Sequence, residues 1–393
     1  MNTSSLAHQF LLRKDICFLN FGSFGACPQP IFDAYQAYQR ELEADPVYFI
    51  TQSGPAYIKA AREALGQYLN AAADDLVLVT NPSYAVNIVA KSFALSPGDE
   101  ILTTNLEYGA CDRTWQYYCQ KAGAVYKRQA IRLPLESEQG FLSDFFAGVS
   151  SRTKLIFVSH LTSATGLRLP VEAICQKANA LGIPCFVDGA HAPGQLPLDL
   201  SGLGAVIYTG ACHKWMMTPK GSSFLFVDKK IQDQFDPLVV SWGYQALFPS
   251  ASRFQDYHQM QGTRDFSAFC TLPKALQFMQ ENNWPAVAKA CRQLAHAHAP
   301  ALAHQLGSHL LAPLTDEFFG QLVSIPIRLN KISPEALHDD FYHRFRIQIP
   351  VMRQGNDVYL RYSIQVFNTA ADLAQLAAAI DTLMKENTIL PLD

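Results

Sequence analysis

The 393-residue sequence lacks several patterns that would assign it to a common class of protein. Its nine cysteines are scattered, and no two of them form a CxxC pair. This spacing argues against a zinc module and against a disulfide framework, so we expect buried thiols in a reducing compartment. No basic run accompanies the formal net charge of −3. Nucleic acid is therefore not an expected partner.

Long apolar runs are also missing. No stretch approaches the ~20 consecutive apolar residues that a membrane-spanning helix needs, and the first residues carry no positive region followed by an apolar core. We therefore expect no membrane partner and a cytoplasmic location. The 49% hydrophobic content is ample for a large core. The length corresponds to about two to three domains.

Four nearby histidines lack the features of a metal site. They have neither HExxH spacing nor an acidic ligand among them, so we expect a solvated helix face and no metal. These residues are His296, His298, His304 and His309.

Short apolar runs alternate with helical patterns from Asp75 to about Asp228. This alternation is typical of a mostly parallel sheet with helices on both faces. The expected strands cover residues 76–80, 100–104, 124–129, 154–159, 183–188, 205–209 and 222–227. The expected helices between them cover residues 84–94, 108–122 and 171–180, and Gly182 is placed as a C-cap.

The pattern changes after about Pro273. Two amphipathic helical stretches, strands at 322–327 and 358–362 and an alanine-rich helix at 370–385 follow. We therefore predict an α/β protein with a large doubly wound domain over residues 46–272 and a smaller α+β domain over residues 273–393. Residues 1–45 are expected to join the smaller domain.

An acid and a lysine end two neighbouring apolar runs. Asp188 ends the run 183–187, and Lys214 lies shortly after the run 205–208 in the motif Cys212-His213-Lys214-Trp215. A lysine that forms a Schiff base, with a carboxylate that holds a pyridine nitrogen protonated, makes a site for pyridoxal 5'-phosphate (PLP). In doubly wound sheets, ligands bind outside the carboxyl ends of the strands, where both residues fall. Asp188 could otherwise be a turn residue before Gly189.

Two further features suit a charged small molecule. The turn at Pro82, Ser83 and Tyr84 follows a strand and opens a helix, so backbone N–H groups and the Ser83 hydroxyl can face an anion, although Ser83 could also be only an N-cap. This turn lacks the glycines of a nucleotide-binding loop. Arg361 lies in an apolar strand, where its guanidinium must find a carboxylate, either of a substrate or of a structural ion pair.

The ordered motifs together resemble the class V aminotransferase family of fold-type I PLP enzymes. The resemblance rests on residues 186–194 (FVDGAHAPG), 212–215 (CHKW) and 219–221 (PKG). Residues 19–26 (LNFGSFGA), Arg361-Tyr362-Ser363 and Phe367-Asn368-Thr369 add a likeness to isopenicillin N epimerase-like proteins. The resemblance to the family spans nearly the whole chain and implies the fold-type I transferase fold.

The resemblance implies roles for individual residues. It implies that Pro82, Ser83, Tyr84 and His213 hold the cofactor phosphate and that Tyr108 stacks on the pyridine ring. His191 can reach the ring hydroxyl or a substrate proton, or it can be satisfied by backbone. Thr162 or Ser163 could meet the cofactor.

Two further roles concern the partner subunit and the substrate. Gly262 and Thr263 resemble a loop that crosses to the partner's phosphate in a homodimer. Arg361 matches the position that binds the substrate carboxylate.

Several reactions share this machinery. PLP makes the alpha proton of an amino acid acidic, and the protein determines which reaction the activated carbon undergoes. A cysteine desulfurase is disfavoured because residues 345–360 hold no cysteine and the last one is Cys291. We favour epimerisation of an amino acid or small peptide, with Lys214 on one face and His191 or Tyr108 as candidate second base. A carbon–sulfur lyase, an aminotransferase, a PLP-binding protein without turnover and a nucleotide-binding protein with an incidental Lys214 remain alternatives.

Overall fold

A computed structural model describes residues 6–250 and 252–392. Its strands are β1 (Cys17–Phe18), β2 (Leu76–Val79), β3 (Glu100–Thr104), β4 (Val125–Gln129), β5 (Thr153–Ser159), β6 (Cys185–Asp188), β7 (Ile207–Ala211), β8 (Ser223–Val227), β9 (Leu322–Leu329), β10 (Ile347–Gln348), β11 (Val351–Gln354), β12 (Asp357–Ser363) and β13 (Ile389–Leu390). Its α-helices are α1 (Phe21–Phe24), α2 (Gln29–Ala44), α3 (Pro46–Tyr48), α4 (Gly54–Leu69), α5 (Pro82–Ser92), α6 (Gly109–Ala122), α7 (Glu138–Phe146), α8 (Val171–Ala180), α9 (Leu200–Leu203), α10 (Arg253–Gln259), α11 (Ser267–Cys270), α12 (Leu272–Glu281), α13 (Trp284–Gln305), α14 (Pro334–Phe345) and α15 (Ala370–Lys385).

The strands β2 to β8 form one sheet in the order β2-β8-β7-β6-β5-β3-β4. Only β8 is antiparallel to its neighbours β7 and β2, whereas the pairs among β3 to β7 are parallel. This arrangement confirms the predicted α/β class with its mostly parallel sheet. The helices predicted between the strands are observed as α5, α6 and α8.

Both faces of this sheet are covered, as the side chains of β5 show. Its side chains alternate between two separate apolar cores, with Ile156 and Val158 in one and Leu155 and Phe157 in the other. A strand covered on both sides has no polar face, so it is a continuous apolar run rather than an alternating one. The sequence pattern of residues 153–159 therefore follows from the two layers of helices.

Two strands of the large sheet begin two residues later than predicted. The strand expected at 183–188 is β6, Cys185–Asp188. The strand expected at 205–209 is β7, Ile207–Ala211, two residues later. Gly204 follows the last residue of α9 and has a left-handed backbone conformation, with φ of 76°. The chain becomes aligned with β6 only at Ile207, which pairs with Phe186. The strand therefore ends at Ala211, three residues before Lys214.

The smaller sheet is antiparallel, in the order β11-β12-β9-β13. The helices α13, α14 and α15 pack against its strands. Near the amino terminus, β1 pairs in parallel with β10, and Asn20 forms a bridge to Ser363. The amino-terminal segment thus contacts the smaller sheet, while α2 packs on α11 and α12. The domain boundaries near residues 45 and 272 stay predictions.

None of the helices within residues 6–250 and 252–392 is long and apolar enough to cross a membrane.

Candidate active site

The cavity that holds the predicted residues lies at the carboxyl edge of the large sheet. The strands β3 and β5 are neighbours in the sheet. The connection after β3 leads to β4 on one side, and the connection after β5 leads to β6 on the other side. Such a switch point opens a crevice in doubly wound sheets. A cavity of about 280 Å³ lies there. Its lining comprises Ser23, Phe24, Asn81, Pro82, Ser83, Tyr108, Cys111, Ser159, Leu161, Ser163, Asp188, Ala190, His191, His213 and Lys214.

Asp188 and Lys214 line this cavity together. Asp188 is the last residue of β6 and is 3% exposed. Its carboxylate accepts hydrogen bonds from the Ala190 N–H at 2.9 Å and from the Cys111 thiol at 3.5 Å. Burial raises the pKa of Asp188 above its ordinary value. Burial, followed by the nearby Arg361, lowers the pKa of Lys214 to about 8.

Two glycines allow the backbone to place this pair. Gly25 has a φ of 64°, and a side chain there would collide with the carbonyl oxygen of His213. A side chain at Gly189 would collide with the phenol of Tyr208, directly after Asp188. The close approach of these segments therefore requires the missing Cβ atoms.

His191 lies beside Lys214. Its Nε2 is 3.2 Å from Lys214 Nζ, and its Nδ1 accepts a hydrogen bond from the Trp215 indole at 3.3 Å. Its carbonyl oxygen accepts from Gln195 at 2.6 Å. Burial lowers the pKa of His191 well below its ordinary value, so the ring is neutral at pH 7.

The turn before α5 keeps fewer donors than a simple helix start. Pro82 has no N–H, and the N–H of Tyr84 is bonded to the Asn81 side chain at 2.8 Å. Tyr84 is not among the lining residues, and its buried hydroxyl has no hydrogen-bond partner within the described part of the chain. Ser83 lines the cavity and is left to supply its N–H and hydroxyl to an anion.

His213 also lines the cavity, in a specific protonation state. Its Nδ1 donates to the carbonyl oxygen of Ser222 at 2.9 Å. Burial lowers the pKa of His213 to about 4, so its Nε2 carries a lone pair at pH 7. Donation to a phosphate oxygen then requires proton uptake, which a bound anion favours.

Arg361 is a buried cation without an acidic partner. It is 1% exposed, and no carboxylate within the described residues lies within ion-pair distance. Its Nη1 donates to the Ser163 carbonyl oxygen at 2.6 Å and its Nη2 to the Ser23 hydroxyl at 3.0 Å, both at the cavity wall. The Nε has no partner in the part of the chain described. Arg361 is not itself a lining residue, so its guanidinium lies directly behind the wall that Ser23 and Ser163 form, with its charge uncompensated by a carboxylate.

The structure does not bring Thr162 to the cavity. Its hydroxyl is 2.6 Å from that of Thr165 and accepts from the Leu167 N–H at 2.8 Å. The neighbouring Ser163, the alternative considered with it, lines the cavity instead. Gly262 and Thr263 are exposed and lie outside the lining of this chain's own cavity.

Sequence reasoning missed several residues around Asp188. Ser159, the last residue of β5, lines the cavity, and its position at a strand end could have revealed it. Behind it, Glu107 is fully buried and accepts from Ser159 at 2.6 Å and Thr104 at 2.7 Å. Burial raises the pKa of Glu107 to about 8. No single-sequence signal distinguishes such a carboxyl from an exposed one.

The histidines considered for metal binding are spread along α13 and beyond it. His296 packs edge-on against Phe319, while His304 and His309 are exposed. Within residues 6–250 and 252–392, no group of three His, Cys, Asp or Glu side chains could hold a metal ion.

Comparison with known proteins agrees with this geometry. The family model described as aminotransferase class-V matches residues 25–376. Isopenicillin N epimerase from Streptomyces clavuligerus is 33% identical over 390 residues, which cover 96% of this chain and 97% of that protein. Putative L-cysteine desulfhydrase 1 from Oryza sativa subsp. japonica is 29% identical, over 94% of this chain and 83% of that protein.

The fold is shared with solved structures. A cysteine desulfurase from Escherichia coli superposes with a TM-score of 0.81 at 20% identity, covering 98% of this chain and 99% of that one. The chain belongs to the class V aminotransferase family, whose members have the fold-type I architecture. Its cofactor is pyridoxal 5'-phosphate.

The residues of this cavity fit that cofactor. A buried carboxylate and a half-buried lysine face the same space, as the pyridine nitrogen and the aldehyde carbon require. Ser83 lies in the first turn of α5, and the residues at that end of the helix line the cavity, which suits a phosphate. The roles given to individual residues stay proposals.

Proposed function

We propose that the protein is an epimerase or racemase that acts at the alpha carbon of an amino acid or small peptide. The observation that carries this proposal is the near full-length similarity to isopenicillin N epimerase, together with a cavity that offers proton-transfer groups beside a buried arginine. The bound cofactor supplies an electron sink for the alpha carbon.

Side chains of the protein have the other roles in the proposed reaction. Lys214, neutral in part at pH 7 because its pKa is lowered to about 8, removes or returns the alpha proton at Nζ. Asp188 holds the pyridine nitrogen protonated. Arg361 fixes the substrate carboxylate, and Ser23 and Ser163 orient its guanidinium.

Tyr108 is the better candidate for the second base. His191 Nε2 is 3.2 Å from Lys214 Nζ, so the two groups approach substrate from one side. Tyr108 lines the same cavity and lies close enough to Arg361 to oppose the effect of burial on its pKa. The alpha carbon is bonded to the carboxylate that Arg361 binds, so this phenol is near it.

Three alternatives use the same site. A carbon–sulfur lyase is favoured by the similarity to plant L-cysteine desulfhydrases, and an aminotransferase would need the same residues. A PLP-binding protein without turnover is the third. A cysteine desulfurase is disfavoured because β11 and β12 are joined by a short turn at Gly355, where no loop cysteine is present.

Exchange of the alpha proton in heavy water tests this proposal. Purified protein with PLP is incubated with L- and D-amino acids and small peptides, and the alpha-proton signal is followed by NMR together with chiral analysis. We expect deuterium at the alpha carbon and both configurations from either starting enantiomer. Release of a keto acid with ammonia or sulfide would favour the lyase. Absence of exchange from every compound would contradict turnover.

We also propose a homodimer in which Gly262 and Thr263 complete the partner's site. Both residues are exposed and outside this chain's cavity, and the preceding segment has exposed apolar side chains. Trp242, Leu247 and Phe248 are 74%, 76% and 90% exposed. Apolar surface of this kind marks an interface.

Subunit mixing tests the crossing of Thr263. Lys214→Ala and Thr263→Ala chains are each expected to be weakly active alone, and their heterodimer contains one intact site. Random pairing should restore roughly a quarter of the wild-type activity, because about half of the dimers are mixed and each mixed dimer has one intact site of two. If Thr263 acts within its own chain, mixing restores nothing. A fully active monomer in sedimentation velocity would also contradict the proposal.

A further inference from the structure

The indole of Trp215 makes a contact that is unusual among the buried tryptophans. It is fully buried, and its Nε1 donates to His191 Nδ1 at 3.3 Å. Trp115 and Trp284 are buried as well, but their Nε1 atoms have no hydrogen-bond partner in the described part of the chain. The contact with His191 is therefore not a general consequence of tryptophan burial.

This contact determines which nitrogen of His191 carries the proton. An indole N–H only donates, so His191 Nδ1 must offer a lone pair. A neutral imidazole with a lone pair on Nδ1 carries its proton on Nε2. The ring is buried and remains neutral at pH 7. One tautomer is thus consistent with the geometry.

The Nε2 proton then points at Lys214. Nζ lies 3.2 Å from Nε2, and an N–H needs an acceptor at that distance. A neutral amine offers a lone pair, whereas an ammonium group has only donors. An ammonium at Lys214 would place donor against donor. The histidine tautomer therefore favours the uncharged lysine.

We propose that Trp215 is a positioning residue that fixes the Nε2–H tautomer of His191 and thereby favours the neutral, nucleophilic form of Lys214. The proposal rests on Lys214 and His191 forming the reacting site, and it is independent of the reaction that takes place at the alpha carbon. Trp215 acts through His191 and does not line the cavity itself.

The tautomer can be measured directly in the full-length protein. Histidine labelled with ¹⁵N gives NMR correlations that distinguish a protonated Nε2 from a protonated Nδ1, and His191→Gln assigns the signal. We expect the Nε2–H form in the wild-type protein without added PLP. A wild-type Nδ1–H form would overturn the proposal without recourse to any tryptophan variant.

The second measurement is the pH dependence of PLP attachment to Lys214, followed by visible absorbance. In Trp215→Phe, His191 is free to adopt the Nδ1–H tautomer, whose Nε2 accepts from an ammonium group. The charged lysine is then favoured, its pKa rises, and the attachment profile should move to higher pH. One charge-assisted hydrogen bond corresponds to a shift of about one to two pH units.

Two controls separate this role from packing. Trp115→Phe removes an equally buried indole whose N–H has no partner in the described part of the chain, so the profile should stay in place. In a His191→Gln background, Trp215→Phe should no longer shift the profile, because the imidazole through which it acts is gone. An equal shift from Trp215→Phe in that background, or none in the wild-type background, would overturn the proposal. These results do not depend on alpha-proton exchange, so they remain distinct from the test of epimerisation.

Discussion

Lys214→Ala is expected to abolish the visible absorbance of the protein-bound cofactor and nearly all turnover. The variant loses the amine that we propose binds the aldehyde carbon and moves the alpha proton. General acid–base catalysis alone accounts for about 10²- to 10⁴-fold in rate, so exchange should fall by at least that factor. Absorbance spectra and exchange in heavy water measure the two effects.

Lys220→Ala is the matched control. Lys220 is more exposed than Lys214, and its Nζ donates to the Gly25 carbonyl oxygen at 3.2 Å, outside the cavity lining. This variant should keep the visible absorbance. If borohydride instead traps the cofactor on another lysine in Lys214→Ala, the assignment of Lys214 is wrong.

Arg361→Lys is expected to weaken substrate binding markedly while the cofactor spectrum stays unchanged. Lysine keeps the charge but cannot bind a carboxylate with two parallel N–H groups. The loss of one charge-assisted hydrogen bond is about 1.5–3 kcal/mol, or roughly ten- to a hundredfold in KM. Steady-state kinetics should place the effect in KM rather than in kcat.

Arg62→Lys is the corresponding structural control. Arg62 is also a buried arginine, but its Nη1 binds the Ala73 carbonyl oxygen at 2.9 Å and lies 3.3 Å from Asp74. Its replacement should lower thermal stability and leave KM alone. The same pattern from Arg361→Lys would make Arg361 a structural residue.

The strands and their polar ends were predictable from sequence because burial on both faces produces unbroken apolar runs. Asp188 and Lys214 follow such runs, and the sheet brings them to one edge. The orientation of Thr162 was not predictable. It depends on the turn after β5, where the hydroxyl is bonded locally to Thr165 and Leu167. A pattern of residue types does not specify that turn.

The contacts that tune the site were equally hidden. The pairing of Trp215 with His191 joins residues 24 positions apart, and that of Glu107 with Ser159 joins residues 52 apart. Both pairs depend on tertiary packing, since each partner alone is an ordinary residue type in an apolar setting. The lack of an acidic partner for Arg361 among the described residues also becomes visible only once its neighbours are known.

The amino-terminal segment contacts both the backbone around Lys214 and the guanidinium of Arg361. Gly25 lies against the backbone that carries Lys214, and Ser23, two residues earlier, accepts from Arg361. The proposed attachment of the cofactor and the proposed recognition of the carboxylate therefore depend on the same short segment. A fusion, truncation or circular permutation of this protein has to leave residues 23–25 intact, because a change there would affect the surroundings of Lys214 and of Arg361 together.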